Sequence, residues 1–446
     1  MEDRLRISIS GVRGKVPAAL DVEIVSKFAS AFASYIEQGR IAICRDTRPS
    51  SQMLSLAAVS AILAAGLDCT NFGQIPISYL QFFLRSGSHS GGISVSAGHN
   101  PLPWNAAVLL NETGHFLEAT EGPEVFNIYE AENFTKASWQ ELGRSKDKDF
   151  PVESYLETLG GLVERRAIQS AGFKVVADPC NGVVSPFLAV YADHFGLDLV
   201  VINDEPEKPF PHPPEPSPEN ASQTEAVVKA SSANLGFLLN SDGSRISFVD
   251  EKGISISEEF SFPLALLALK GKVHKAVTTA ATSQRADWAA RNIGAKLIKT
   301  RIGQSAVVHT MEAEAAEIGG EGSGSMAYLP FSPGYDSLLG LTLVLDLMTT
   351  QEKTLAELCA PFPELYHRKI KIQVPPAKTY SVMDKLEGAF ARENPDFTDG
   401  IRVQRQNSWF IIRPSTTEFI LRIIIEGQDQ AEVDTIEDEI RERTEL

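Results

Sequence analysis

In the stretch 91–101, which reads GGISVSAGHNP, a histidine and an asparagine follow a short run in which apolar and small polar residues alternate. Apolar residues alternate there with small polar ones, which predicts a strand over 94–97 or the end of one. Pro101 cannot donate to a strand ladder and biases Asn100 away from helix. A strand that ends in this way brings polar groups to the carboxyl edge of an α/β sheet, where such sheets bind ligands. An ordinary exit from strand to loop is the alternative interpretation.

The six residues from Ser96 to Pro101 resemble the active-site loop Thr-Ala-Ser-His-Asn-Pro of the α-D-phosphohexomutases. This family contains phosphoglucomutase, phosphomannomutase and phosphoglucosamine mutase, and its serine carries the phosphoryl group that is exchanged with the sugar. The serine position is Gly98 here, and glycine has no side chain to phosphorylate. In a changed chemistry His99 would serve as an acid or base, whereas Ser96 is an alternative nucleophile that is misaligned with the family position.

An arginine stands between two glycines near the start of the chain, at Arg13 in the run ISISGVRG of 7–14. The glycines would let the backbone turn tightly and place the guanidinium near a ligand, although a surface turn fits the bare pattern as well. The run resembles the family's Thr-Ser-Gly-Ile-Arg-Gly, which lines the active site. A second run, RDTRPSS at 45–51, resembles the family's Gly-Arg-Asp-Thr-Arg-Pro-Ser-Ser, with solvated charges as the alternative for Arg45 and Arg48.

The resemblance also implies a metal loop, because the family holds a divalent ion, normally magnesium, with the sequence Asp-Gly-Asp-x-Asp-Arg. Mg²⁺ prefers carboxylate oxygens and offsets charge on a moving phosphoryl group. The three ligand positions are Asn240, Asp242 and Ser244 here, so that one carboxylate remains, and Arg245 keeps the family's arginine. Two charges about 4 Å apart interact by about 4 kcal/mol at an effective dielectric near 20. The lost carboxylates therefore predict weak or absent magnesium binding and favour a tight polar turn.

The residues that would hold the rest of the ligand are better preserved. Glu321 and Ser323 lie in the run GEGSG at 320–324, which resembles the family's Gly-Glu-x-Ser-Gly, whose Glu and Ser bind sugar hydroxyls. A carboxylate and a hydroxyl on a glycine-rich loop suit vicinal diols, because the backbone can approach the sugar ring closely. A flexible glycine loop without a ligand is the alternative.

A phosphate-binding loop is indicated near the end of the chain, in the run RPSTTEF at 413–419. It resembles the family's Arg-Pro-Ser-Gly-Thr-Glu-Pro, which assigns phosphate contacts to Arg413, Ser415 and Thr417. One guanidinium and several hydroxyls can hold a phosphate dianion. Thr416 replaces the family's glycine, and its β-branched side chain would be strained there if the position requires a positive φ.

The elements around these motifs predict a multidomain α/β protein. Strands, polar turns and helices alternate through most of the chain, as in parallel βαβ units. From about 366 the pattern changes to strand, helix, strands and helix. We therefore expect three mixed α/β domains at 1–150, 151–253 and 254–365, followed by an α+β domain at 366–446. The resemblance implies that the four domains surround a central cleft.

The composition of the chain excludes some classes of protein function. A chain of 446 residues with a net charge of −17 is long enough for several domains and lacks the basic balance of a nucleic-acid binder. Its cysteines (Cys44, Cys69, Cys180 and Cys359) form no CxxC pair, so neither a disulfide framework nor a zinc site is indicated. Neither a signal peptide nor an apolar run of membrane-spanning length is evident, and we expect a cytoplasmic protein.

Three functional hypotheses follow. The first is a divergent phosphohexomutase-like protein that binds a sugar phosphate or a similar phosphorylated polyol, with ordinary phosphoserine-dependent turnover lost or changed. The second is a non-catalytic partner that regulates another enzyme; a homodimer or a complex with a partner enzyme are the expected assemblies. The third is an active mutase with a non-standard nucleophile. The altered phosphoryl-transfer positions beside preserved ligand-holding positions favour the first hypothesis.

Overall fold

The computed structural model describes residues 4–8, 10–118, 120–415 and 420–444. Within these ranges the strands form four sheets, of seven, five, four and four strands in chain order. The expected architecture of three mixed α/β units and a C-terminal α+β unit is confirmed. The domain boundaries near 150, 253 and 365 stay predictions.

The first unit is a mixed sheet with helices on its faces. Its elements are β1 (Arg6–Ser8), β2 (Gly11–Lys15), α1 (Val22–Ile36), β3 (Arg40–Arg45), α2 (Pro49–Ala64), β4 (Asp68–Gln74), α3 (Ile77–Leu84), β5 (Gly91–Val95), β6 (Trp104–Asn111), α4 (Glu121–Ala131) and β7 (Ser145–Asp147). The strand order is β1-β2-β6-β5-β3-β4-β7. Strands β4, β3 and β5 run parallel, and β6 and β2 continue the sheet antiparallel.

One local expectation for this unit was wrong, and a second was correct in part. Arg13 lies inside β2 and not in a turn, because β2 pairs residue by residue with β6, with Arg13 opposite Ala106. Gly11, at the start of β2, has a φ of +142°, a backbone conformation that residues with a Cβ rarely adopt. The strand predicted at 94–97 is β5, which starts at Gly91 and ends at Val95.

The second and third units are built on mostly parallel sheets. The second contains α5 (Val152–Gly160), α6 (Arg165–Ala171), β8 (Lys174–Asp178), α7 (Leu188–Phe195), β9 (Asp198–Val201), α8 (Ser222–Ser231), β10 (Leu235–Leu239), β11 (Ile246–Val249) and β12 (Ser255–Ile256), in the sheet order β12-β11-β10-β8-β9. The third contains α9 (Ser261–Ala268), β13 (Lys275–Thr279), α10 (Gln284–Ile293), β14 (Lys296–Thr300), α11 (Gln304–Glu314), β15 (Ile318–Glu321), β16 (Ser325–Tyr328), α12 (Ser337–Gln351) and α13 (Leu355–Cys359), in the order β14-β13-β15-β16.

The fourth unit is an antiparallel sheet covered by two helices. Its elements are β17 (Tyr366–Gln373), α14 (Pro376–Phe390), β18 (Ile401–Gln404), β19 (Ser408–Pro414), β20 (Ile420–Gly427) and α15 (Gln430–Thr444), in the order β17-β20-β19-β18. Single turns of 3₁₀ helix lie at Ser185–Phe187, Pro218–Asn220, Glu258–Phe260 and Ala391–Glu393. None of the helices in the described ranges is long and apolar enough to cross a membrane.

Helix α12 is the centre of the packing. Each of its residues from 337 to 348 is buried, as expected for a helix that is apolar on all sides. One continuous hydrophobic core joins side chains of the first three units around it, whereas the fourth unit has a core of its own. Asp336 caps the helix, because its Oδ1 accepts from the backbone N–H groups of Leu338 at 2.9 Å and Leu339 at 3.0 Å. The hydroxyl of Tyr155, from the second unit, donates to the same carboxylate at 2.9 Å.

We expect Asp336→Ala to destabilise the protein by about 3 kcal/mol. The change removes a helix cap, which contributes about 1 kcal/mol, and leaves the buried Tyr155 hydroxyl without its acceptor, which costs about 1–3 kcal/mol. Urea unfolding followed by circular dichroism measures the loss. Asp21→Ala is the matched control, since Asp21 caps α1 with a hydrogen bond from Ile24 N at 2.9 Å and should cost about 1 kcal/mol. Equal losses would show that Asp336 acts only as a cap.

Candidate functional site

The loop between β5 and β6 is held by side chains from two units. Arg48 Nη2 donates to the backbone carbonyl of Gly98 at 2.8 Å and also to that of Asn100. Ser241 Oγ, from the second unit, donates to the same Gly98 carbonyl at 2.9 Å. Asn100 Oδ1 accepts from Arg13 Nη1 at 2.9 Å. The position of the loop is thus fixed largely through its backbone oxygens.

Arg48 is a buried cation, 1% exposed, and it pairs with the equally buried Asp46. Asp46 also accepts from Ser96 Oγ at 2.7 Å. Ser96 Oγ in turn accepts from the Gly98 N–H at 3.1 Å, so this hydroxyl is engaged on both sides. The ring of Phe210 covers the Arg48 guanidinium at 5.1 Å. A buried ion pair needs such additional contacts, because each charge has lost its water.

Gly98 has a left-handed backbone, with φ at +59°. This conformation suits glycine and is unfavourable for residues with a Cβ. A Cβ built at Gly98 would lie 3.0 Å from Oδ2 of Asp242. The position that the resemblance assigns to the nucleophile therefore faces the one carboxylate left in the metal loop.

The loop at 240–245 is closed by its own hydrogen bonds. Oδ1 of Asp242 accepts from Asn240 Nδ2 at 2.7 Å, from Ser244 Oγ at 2.7 Å and from Ser244 N at 3.1 Å. The two residues that replace carboxylates are thus donors to the remaining one. Among the described residues, no group of three or more His, Cys, Asp or Glu side chains is arranged to hold a metal ion.

Neighbouring arginines lower the pKa of His99. The charge of Arg245, followed by burial, holds the pKa of His99 well below its usual value, and three further arginines act in the same direction: Arg13, Arg422 and Arg48. Burial first, then neighbouring arginines, lower the pKa of Arg13, and Asp242 opposes them. His99 is therefore a neutral ring surrounded by guanidinium groups.

Glu321 ends the first strand of a β-hairpin and Ser323 lies in its turn, which disfavours the alternative of a flexible glycine loop at 320–324. Glu321 is the last residue of β15 and pairs with Ser325 at the start of β16. Gly320, inside β15, packs closely against Phe262. A Cβ at this position would lie 2.4 Å from the ring, so the packing requires glycine. Ser323 Oγ lies 3.2 Å from Ser325 Oγ. Oε1 of Glu321 accepts from the hydroxyl of Tyr335 at 2.9 Å.

Arg413 lies near the end of β19, with Nη1 at 3.2 Å from Oδ2 of Asp399. Its charge and that of Arg245 both act on Glu321, which brings residues of the second, third and fourth units together. Ser415 follows β19, and its N–H donates to Ile420 O at 2.9 Å. Thr417 and Thr416 lie outside the described residues.

The structure adds residues that the sequence analysis did not single out. The first is Glu215, which pairs with Arg245 and lies in a proline-rich run. Arg422 acts on His99 from the interior of β20, where an alternating strand pattern gives no sign of a site. Ser241 is a small residue inside the metal-loop motif. For Arg48 the RDTRPSS motif was a signal, but only the structure shows its burial.

Four sequence profiles of the phosphoglucomutase/phosphomannomutase family match the chain. The alpha/beta/alpha domains I, II and III match residues 6–136, 153–253 and 263–366, and the C-terminal domain matches residues 370–443. A probable phosphoglucosamine mutase of Pyrococcus abyssi is 31% identical over 441 residues, which cover 96% of this chain and 95% of the relative.

Solved structures share the fold. A phosphoglucomutase/phosphomannomutase family protein of Burkholderia thailandensis superposes with a TM-score of 0.83 at 22% identity, covering 98% of this chain and 97% of that one. A serine-to-alanine variant of N-acetylphosphoglucosamine mutase from Aspergillus fumigatus, in complex with glucose 1,6-bisphosphate, has a TM-score of 0.61 at 14% identity and coverage of 98% and 94%. The same enzyme in complex with GlcNAc-6P and magnesium has a TM-score of 0.56 at 14% identity, with coverage of 91% and 82%.

We expect Gly98→Ala to destabilise the protein by about 2–3 kcal/mol. The left-handed backbone costs a residue with a Cβ about 1–2 kcal/mol, and the contact with Asp242 adds about 1 kcal/mol more. Gly73→Ala is the matched control, because Gly73 has a φ of +65° and open space around its Cβ position. Chemical denaturation of both variants measures the difference. If Gly73→Ala costs as much as Gly98→Ala, the Asp242 carboxylate does not restrict position 98.

Proposed function

We propose a function from one established premise, that the chain belongs to the phosphoglucomutase/phosphomannomutase family. In the proposed function the protein binds a phosphorylated sugar, or a similar phosphorylated polyol, between its four units. It does not turn this ligand over by the phosphoserine route of the phosphohexomutases. The residues proposed to hold the ligand are Arg13, Arg245, Glu321, Ser323, Arg413, Ser415 and Thr417.

The observation that carries the proposal is the cluster of guanidinium groups around His99. The chain as a whole has a net charge of −17, yet the charges of four arginines lower the pKa of His99. Two of these arginines, Arg48 and Arg245, are paired with Asp46 and Glu215, and a bound anion would stabilise the remaining positive charge. Arginine suits a phosphate dianion, because its planar donors bind two oxygens at once. His99 remains neutral there and can donate or accept a single hydrogen bond.

Loss of ordinary turnover is supported by the groups near residue 98. Gly98 provides no oxygen, and the nearest hydroxyl in the motif, that of Ser96, already donates to the buried Asp46. A hydroxyl becomes a nucleophile when a base can take its proton and the attacked phosphorus lies in line with it. The Ser96 hydroxyl is instead fixed within the loop anchor, which argues against it as the replacement nucleophile.

Weak magnesium binding is supported by the hydrogen bonds of the metal loop. Mg²⁺ requires oxygen ligands with free lone pairs in near-octahedral geometry. The Asn240 amide and the Ser244 hydroxyl direct protons at Asp242, where the family would place further carboxylates. These residues do not fit a magnesium ion, so no step of the proposed function depends on one.

A sugar that carries two phosphates is included in the proposed ligand class. Gly98 removes the place for a phosphate on the protein, while the cations at that end of the site are kept. The structural neighbour that lacks its serine hydroxyl binds glucose 1,6-bisphosphate. In this chain one phosphate of such a ligand would meet Arg413 and the other would meet Arg13 and Arg245.

We expect glucose 6-phosphate or glucose 1,6-bisphosphate to raise the melting temperature of the protein without being converted. A ligand at a hundred times its Kd adds about 2.7 kcal/mol to the folded state. Arg413→Ala should abolish the shift, and Arg441→Ala, which removes an arginine from an exposed site on α15, should not. Differential scanning fluorimetry measures the shift. A coupled assay for glucose 6-phosphate formed from glucose 1-phosphate, with the bisphosphate and Mg²⁺ present, measures turnover.

Three outcomes of these assays separate the hypotheses. Turnover together with a stoichiometric phosphate on Ser96, found by peptide mass mapping, would contradict the proposal and identify an active mutase. Binding without turnover supports the proposal. The absence of a shift with glucose, mannose and glucosamine phosphates would favour the non-catalytic partner.

We expect no stoichiometric Mg²⁺ binding in the micromolar range by isothermal titration calorimetry. The double variant Asn240→Asp/Ser244→Asp should bind Mg²⁺ at least about a hundredfold more tightly, since each added carboxylate contributes charge at short range. Adding Asp242→Asn to this variant is the control and should weaken the binding again. Micromolar affinity in the wild-type protein, lost on Asp242→Ala, would refute the assignment.

A further inference from the structure

Tyr335 connects the centre of the molecule to Glu321. Its side chain is 4% exposed, and its hydroxyl donates to Oε1 of Glu321 at 2.9 Å. Among the described residues, Oε2 of Glu321 has no hydrogen-bond partner. The tyrosine therefore satisfies one oxygen of this carboxylate and leaves the other available.

The backbone on both sides of Tyr335 is fixed by three units. A Cβ at Gly334 would lie 2.7 Å from Oε1 of Gln81, so the first unit packs directly on the chain there. Asp336 is held by Tyr155 of the second unit. The N–H of Ser337 donates to the Gly243 carbonyl, within the metal-loop motif, at 3.0 Å. With its neighbours held in this way, the backbone that carries the phenol is fixed relative to the three units.

We propose that Tyr335 is a positioning residue, which orients Glu321 and keeps it as a carboxylate so that Oε2 can accept a hydroxyl of the ligand. This inference rests on the proposed function, because it assumes that a phosphorylated sugar enters the site. Tyr335 itself does not touch the ligand. Its role differs from that of Arg413, which would bind the phosphate directly.

The hydrogen bond from Tyr335 favours the ionised form of Glu321. Burial raises the pKa of Glu321, and three groups oppose this: the charge of Arg245, the hydrogen bond from Tyr335 and the charge of Arg413, whereas Asp399 adds to the rise. A protonated Glu321 would present a donor where a carboxylate presents an acceptor. Removing the Tyr335 hydroxyl removes one of the groups that favour the carboxylate, so the pKa of Glu321 rises further.

The first test needs no ligand and compares Tyr335→Phe with the wild type in thermal unfolding across a pH series. Because the pKa of Glu321 is raised in the folded state, its contribution to stability is full at low pH and is lost as the pH rises through that pKa. The variant has the higher pKa, so its deficit in Tm should grow with pH. In a Glu321→Gln background the deficit should be independent of pH. Tyr191→Phe is the matched control, since it removes a buried hydroxyl that forms a hydrogen bond with Thr342, and its deficit should not change with pH.

The second test measures the affinity for glucose 6-phosphate by calorimetry. Tyr335→Phe should weaken binding about tenfold, as for the loss of one hydrogen bond to a charged group. The fall in affinity on acidification should begin at a higher pH in this variant than in the wild type. Tyr191→Phe should bind as the wild type does.

A deficit of Tyr335→Phe that is the same at every pH, or that keeps its pH dependence in the Glu321→Gln background, would overturn the positioning role. So would equal affinities and pH profiles of wild type and Tyr335→Phe. If the wild-type protein bound no phosphorylated sugar, the proposed function would fail and with it the presentation of Oε2 to a ligand. The ligand-free series would still decide whether Tyr335 sets the ionisation of Glu321.

Discussion

The buried ion pair of Arg48 and Asp46 is the interaction on which the geometry of the site depends. Removing one member of such a pair typically costs about 3–5 kcal/mol, because the other charge stays buried without compensation. The same guanidinium holds two backbone carbonyls of the loop at 96–100. Since these contacts use backbone oxygens, they do not require a serine side chain at position 98. The scaffold can therefore persist with Gly98, and changes in chemistry need not become changes in fold.

The chain as a whole is acidic, whereas the charges around His99 are positive. The net charge of −17 disfavours contact with nucleic acid, while the arginines around His99 favour a small anion. The proposed metal-free loop differs from a family loop with three carboxylates and a bound divalent ion by two carboxylates and one dication. Its formal charge is therefore the same. Hydrogen bonds within 240–245 replace coordination as the force that orders the loop. Oδ1 of Asp242 therefore accepts hydrogen bonds within the loop, while Oδ2 faces Gly98.

Much of the fold was predictable from the sequence, because apolar periodicity and turn residues identify elements locally. The change of pattern predicted from about 366, to strand, helix, strands and helix, matches the elements of the fourth unit from β17 to α15. The errors arose where a distant contact decides a local shape. The glycines beside Arg13 lie in β2 because β6 pairs with them, and Gly320 is required by the ring of Phe262, so glycine did not mean a flexible loop in either case.

Candidate site residues can be recognised in the sequence where a contiguous motif carries them, as at His99, Asp242 and Glu321. Residues that reach the site from the interior of a core or strand, such as Tyr335 and Arg422, have no local signature. Their roles depend on which units meet, and the sequence does not state that directly. The identity of Gly98 was plain from the sequence, whereas its left-handed backbone and its closeness to Asp242 required the structure.

The separate core of the fourth unit has a thermodynamic consequence. One core joins the first three units around α12, and the fourth unit has a core of its own, which makes this unit a candidate for separate opening. Smaller clusters of buried side chains lie elsewhere, including one that joins the third and fourth units. Arg413 belongs to the fourth unit, while Arg13, Arg245 and Glu321 belong to the first three. An anion held by both sets binds only when both units are closed. The binding free energy of such a ligand would then oppose the independent opening of the C-terminal unit, because the ligand would connect this unit to the other three.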